Sequence, residues 1–155
     1  MFLRSVLLST LIGASLIAPA FAGECPADKM KADAVKPVNY GPKGVTDKVL
    51  ATIDLSTEKV ALNGHMMRVR RLEIQPGGIV PWHDHKSRPA NIYVVSGTVT
   101  EYRSTCAVPI VHRAGDTVAE FGEKLAHWWK NTGNKPAVLI SADVFHDAGM
   151  DDHMM

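Results

Sequence analysis

Pro76-Gly77-Gly78-Ile79-Val80-Pro81-Trp82-His83-Asp84-His85 is the stretch on which the reading of this chain turns. In an extended strand alternate side chains share a face. His83 and His85 therefore point the same way, about 6–7 Å apart along the strand, while Trp82 and Asp84 point the other way. Two imidazoles so placed can converge on one ion. A helix would need i, i+4 spacing for this; a strand supplies it at i, i+2. On its own the pair is a weak signal, because two surface histidines produce the same pattern.

Outward from this stretch the pattern is β. Short runs rich in Val, Ile and Thr alternate with Gly, Pro and Asn, as in a sandwich or barrel. The predicted strands are 49–55, 59–62, 66–74, 79–85, 91–95, 98–102, 109–112, 117–120, 126–131 and 137–145. Turn signals separate them: Asn63-Gly64, Pro76-Gly77-Gly78, Ser96-Gly97, Gly115-Asp116 and Thr132-Gly133-Asn134. Asn63-Gly64 reads as a two-residue hairpin. No long amphipathic helix, internal repeat or second domain is visible. A third histidine, His127, lies in the later apolar run Ala126-His127-Trp128-Trp129-Lys130-Asn131, where two tryptophans would limit water access.

These residues resemble the two motifs of the cupin family. The first runs Gly, five residues, HxH, a short spacer, Glu, six residues, Gly; Gly77, His83, His85 and Gly97 match it, with Ile92-Tyr93-Val94-Val95 before the second glycine. The second runs Gly, Pro-x-Gly, two residues, His, three residues, Asn; Gly115-Asp116, His127 and Asn131 match. The resemblance covers about residues 66–145. It implies an all-β, cupin-type double-stranded β-helix (a jelly-roll-like barrel) in a single domain. Two departures stand out. Ala90 occupies the usual Glu position, and Gly122-Glu123-Lys124 replaces Pro-x-Gly. The family's metal set of three His and one Glu is thereby reduced to His83, His85 and His127.

Imidazole donors suit transition metals rather than magnesium or calcium, so the expected cofactor is a divalent Zn, Fe, Cu, Ni or Mn ion. Three neutral imidazoles leave the 2+ charge uncompensated and would draw an anion to the open positions. Glu120 or Glu123 folding back is an alternative fourth ligand. The competing reading makes the three histidines polar linings of a metal-free pocket.

Among other candidates, His65 and His112 read as solvated or hydrogen-bonded residues rather than ligands. Arg68 and Arg70 share one strand face and Arg71 takes the other; the favoured reading is an exposed strand, the sharper one an arginine gripping a substrate carboxylate inside the barrel. Asn131 or Tyr93 could serve as pocket groups, and Tyr102 reads as a packing residue. His146, Met150, His153, Met154 and Met155 form a polar tail with copper-compatible donors, expected to be flexible.

At the N-terminus, Arg4, the apolar run from Val6 to Ile17, Pro19 and Ala20-Phe21-Ala22 have the layout of a secretory signal peptide cleaved after Ala22. The apolar run is too short for an anchor, and Glu24 before Cys25 argues against a lipid one. The chain is divided accordingly: leader 1–22, extended arm 23–47, barrel 48–145, tail 146–155. Loss of Arg4 with the leader takes the formal charge from +1 to zero, which argues against nucleic-acid or anionic-membrane partners. Secretion, periplasmic or extracellular, makes Cys25 and Cys106 a disulfide candidate. Exposed strand edges leave a homodimer open.

No nucleophile–base pair, phosphate loop or dinucleotide fingerprint is present. The expected function is a secreted metal-binding cupin acting on a small molecule as a dioxygenase, isomerase or lyase. The alternative is a non-enzymatic periplasmic protein that binds a metal or small ligand.

Overall fold

The computed structural model describes residues 23–146. The leader read over 1–22 and the tail residues Met150, His153, Met154 and Met155 lie outside the described residues. Eight strands carry the fold: β1 (Lys43–Asp54), β2 (His65–Asp84), β3 (Ala90–Ser96), β4 (Thr98–Arg103), β5 (Ile110–Arg113), β6 (Thr117–Glu120), β7 (Ala126–Lys130) and β8 (Ala137–His146). A 3₁₀ turn at Ala27–Lys29 is the one helical element among the described residues. The strands pair antiparallel in the order β5-β4-β7-β2-β8-β3-β6, with β1 added on β2. This curled antiparallel sheet is the all-β, jelly-roll-like architecture expected from the sequence.

Strand β2 organises the sheet. Its first half, His65 to Ile74, runs against β8, and its second half, Ile79 to Asp84, runs against β7. One strand thus serves both walls of the barrel. Alternation on the strands sends Leu72, Ile74, Ile92, Val94, Val118 and Leu139 inward, where they meet Val80, Val99 and Trp129 in one apolar core.

Three expectations need correction. Residues 66–74 and 79–85 are not separate strands, because Pro76-Gly77-Gly78 is a bulge inside β2 rather than a turn. Pairing with β1 jumps there from Val45↔Ile74 to Lys43↔Ile79, and a bulge absorbs glycine and proline without ending the strand. The glycines are needed: Gly77 has φ 73°, and a Cβ on Gly78 would come within 2.7 Å of the Gln75 carbonyl oxygen. Secondly, residues 59–62 form no strand. They belong to the loop between β1 and β2, closed by Ala61 N–H to Glu58 O at 2.9 Å and Leu62 N–H to Leu55 O at 3.2 Å. Asn63-Gly64 ends that loop and is no two-residue hairpin. Thirdly, β1 starts at Lys43, so residues 43–47 are strand rather than arm.

The arm before β1 is fixed in place. Cys25 and Cys106 form a disulfide with Cα atoms 5.8 Å apart. Beside it, Lys31 N–H donates to Thr105 O, Ala34 N–H to Ser104 O and Ala107 N–H to Lys29 O. The disulfide points to folding in an oxidising compartment. No helix among the described residues is long and apolar enough to cross a membrane.

Candidate metal centre

The structure brings His83, His85 and His127 together. His83 on β2 is the direct cross-strand partner of His127 on β7. A register shift between Val80 and His83 turns the strand locally, so that the His83 ring meets that of His127; re-aiming a side chain is what a bulge does. His85 lies one residue beyond β2, held by its own N–H donating to Leu125 O at 3.1 Å. The Nε2 atom of His127 is 3.1 Å from Nε2 of His85 and 3.1 Å from Nε2 of His83.

The outer nitrogens fix which atoms face inward. His83 Nδ1–H donates to Pro81 O at 3.0 Å and His85 Nδ1–H to Arg88 O at 2.8 Å. His127 Nδ1–H donates to Glu101 Oε1 at 2.5 Å. Carbonyls and a carboxylate only accept, so each ring, when neutral, directs its Nε2 lone pair at the common centre. Lone pairs facing one another at 3.1 Å repel unless a metal ion, or a proton on His127, lies between them. Two bonds of about 2.1 Å opening at 90–109° span about 3.0–3.4 Å, the spacing a zinc-like ion asks of imidazole nitrogens. The donor set therefore fits a transition metal.

Electrostatics agree. Burial, then the charge of His127, holds His83 well below the usual imidazole range and pushes His85 down to about 3. Both are uncharged ligand forms at neutral pH. His127 is also pulled down by burial, but Glu120 and Glu101 outweigh this and raise it. Glu101 is pushed up by burial, yet the charge of His127, hydrogen bonds from His112 and His127, and Arg103 bring its carboxyl well below the usual range. It is a permanent anion behind His127, in the position from which a carboxylate sets a ligand's tautomer and ring orientation.

The residue that sequence reasoning underrated is Glu120. It does not fold back from a loop. It stands on β6 with its side chain buried, Oε2 3.2 Å from His85 Nε2 and Oε1 3.6 Å from His127 Nε2. Burial pushes its carboxyl up to about 7, with Glu101 adding to this and His127 opposing it. A signal was available: in Thr117-Val118-Ala119-Glu120, Glu120 shares the inward face of Val118. Glu123 is exposed and takes no part.

Other candidates fall elsewhere. Arg70 is buried rather than on an exposed strand, which corrects the favoured reading. It lines the cavity and is ion-paired to Asp47 and, at 3.1 Å, to Asp143. Arg68 pairs with Asp143 on the same face, and Arg71 pairs outside with Glu73. Tyr93 points outward, 45% exposed, and is no pocket group. Asn131 is buried, but its amide donates to Ile74 O and Lys135 O, so it pins backbone. Tyr102 stacks on Trp128 with ring centroids 4.0 Å apart. His112 Nε2–H donates to Glu101 Oε2 and its ring stacks on Trp129, while His65 Nδ1–H donates to Asn63 O. Beside the centre, Leu72, Val80, Ile92, Trp129 and Leu139 wall a small open cavity of about 30 Å³.

Residues 70–143 match the profile of the Cupin domain family. The chain is 34% identical over 84 residues to germin-like protein 5-1 of Oryza sativa subsp. japonica, covering 52% of this chain and 38% of that protein. It is 29% identical over 102 residues to auxin-binding protein ABP19b of Prunus persica, covering 60% of this chain and 46% of the relative. The chain thus spans less than half the length of these curated relatives. Among solved structures, a predicted oxalate decarboxylase from Thermotoga maritima superposes with a TM-score of 0.53 at 19% identity, over 75% of this chain and 97% of the other. An oxalate oxidase in complex with glycolate gives a TM-score of 0.50 at 22% identity, over 73% and 57%. These structures share the fold.

Proposed function

Because the chain belongs to the cupin family, we propose that it is an exported small cupin holding one divalent transition metal through His83, His85 and His127. On this reading it uses the adjoining cavity to act on a small molecule as a dioxygenase, isomerase or lyase. The leader read at residues 1–22 and the Cys25–Cys106 disulfide support export. The carrying observation is the convergence of three Nε2 lone pairs, each ring oriented by a hydrogen bond at its Nδ1. A bound ion supplies Lewis acidity at this centre. The chain's own part is to hold the rings, exclude water with Trp129 and Ile92, and shape an apolar recess beside the site.

One observation favours the second reading, a non-enzymatic binder of a metal or small ligand. The ionisable groups lining the cavity are His83, His85, Glu120 against His85, and the ion-paired Arg70, so none stands apart from the metal centre to serve a substrate as acid or base. Elemental analysis of protein purified from an exporting host tests the metal centre. Near-stoichiometric metal that is lost in His83→Ala supports it. Metal retained in His83→Ala but lost on deleting residues 146–155 would move the site to the tail.

A further inference from the structure

Resting on the three-imidazole reading, we propose that Glu120 is the fourth protein ligand of the centre, a carboxylate delivered from β6 in place of the one that position 90 lacks. Ala90 on β3 and Glu120 on β6 are direct cross-strand partners. Directly opposed residues of an antiparallel pair leave the sheet on the same side, and both of these are buried on the inner face. The chain therefore carries one carboxylate at this cross-strand pair, displaced from its usual strand to the next one, about 5 Å away.

Where the carboxylate ends is the second observation. Its two oxygens lie 3.2 Å from Nε2 of His85 and 3.6 Å from Nε2 of His127, two of the three atoms that face the common centre. His85 already gives a proton to Arg88 O through Nδ1, so in its neutral form it has none for Glu120. Oε1 of Glu120 is buried with no hydrogen-bond partner. A buried, unpartnered carboxylate oxygen is costly on its own and is the natural seat for a metal bond. With Glu120 included, the site offers three nitrogens and one anionic oxygen. A divalent ion then carries a net charge of +1, and the added carboxylate extends the range of fitting metals toward manganese and iron.

The test uses the full mature chain in five forms: wild type, Glu120→Gln, Glu120→Ala, Glu120→Ala combined with Ala90→Glu, and His83→Ala. Zinc affinity is read by titration calorimetry and coordination by the visible spectrum of the cobalt(II)-loaded protein. Loss of a directly bound carboxylate is expected to exceed the 10–100-fold cost typical of removing an outer hydrogen-bonding partner. Glu120→Gln should therefore bind zinc at least about 100-fold more weakly and show an altered cobalt spectrum. Ala90→Glu should return most of the affinity lost in Glu120→Ala. Thermal melts of metal-free Glu120→Gln, expected to be no lower than wild type, guard against misfolding. Unchanged affinity in Glu120→Gln overturns the proposal and leaves the three-imidazole centre standing. Weaker binding with an unchanged cobalt spectrum also overturns it, because Glu120 would then only position the histidines. Wild-type affinity in His83→Ala would remove the three-imidazole reading itself.

Discussion

Glu101 grips His127: its Oε1 accepts the imidazole Nδ1–H at 2.5 Å, with both side chains fully buried. The other oxygen meets His112 Nε2 at 3.0 Å, and Arg103 donates through Nε at 2.7 Å and through a terminal nitrogen at 2.9 Å. The carboxylate is satisfied from all sides, so the ring it holds has one available tautomer and one available direction.

Glu101→Gln keeps the shape and removes the charge. Zinc affinity, read by calorimetry, should fall about 10–100-fold, the usual cost of losing a partner behind a histidine ligand. Urea denaturation of the metal-free variant should show a loss of about 3 kcal/mol, because buried Arg103 loses its buried anion and keeps only the half-exposed Glu24 at 3.7 Å.

Metal binding should raise stability by mass action. At free zinc about 100 times Kd the gain is about 2.7 kcal/mol, which for a domain of this size lifts Tm by roughly 10 °C. Differential scanning calorimetry with zinc and then with chelator checks it. His83→Ala should show no such difference.

Asp143 anchors Arg68 at 2.8 Å and Arg70 at 3.1 Å, with its own side chain fully buried. Asp143→Ala should destabilise the chain by about 3–5 kcal/mol, since removing one partner of a buried pair leaves uncompensated charge. Arg71→Ala, on the outer face of the same strand, should change stability by less than about 1 kcal/mol. Chemical denaturation of both variants tests the contrast.

Reduction, or replacement of Cys25 and Cys106 by serine, should cost about 2–5 kcal/mol, the range for removing a native bridge from a small domain. Limited proteolysis should then cut first between residues 26 and 42, where the arm would be held by its backbone contacts to residues 104–107 and by Tyr40 against Trp128.

The barrel and the three histidines were legible because both follow from period-two alternation and spacing. His83 and His85 share a face by geometry alone. The partnership of Ala90 with Glu120 was not legible, because cross-strand register between β3 and β6 is set by the sheet, not by any local motif. Arg70 misled for a related reason. A charged residue on a strand reads as exposed, and only the tertiary fold supplies Asp47 and Asp143 to neutralise it. Asn63-Gly64 and Pro76-Gly77-Gly78 were read as punctuation on local turn chemistry. One instead closes a longer loop, and the other continues a strand through a bulge.

The bulge in β2 also sets a parity. Inward-facing Leu72 and Ile74 precede it and inward-facing Val80 follows it, so the glycines count out the residues that keep both halves in phase. Removing Gly77 alone would rotate everything downstream by half a turn. His83 and His85 would then look out into water, and His127 would be left in the interior with no imidazole to meet.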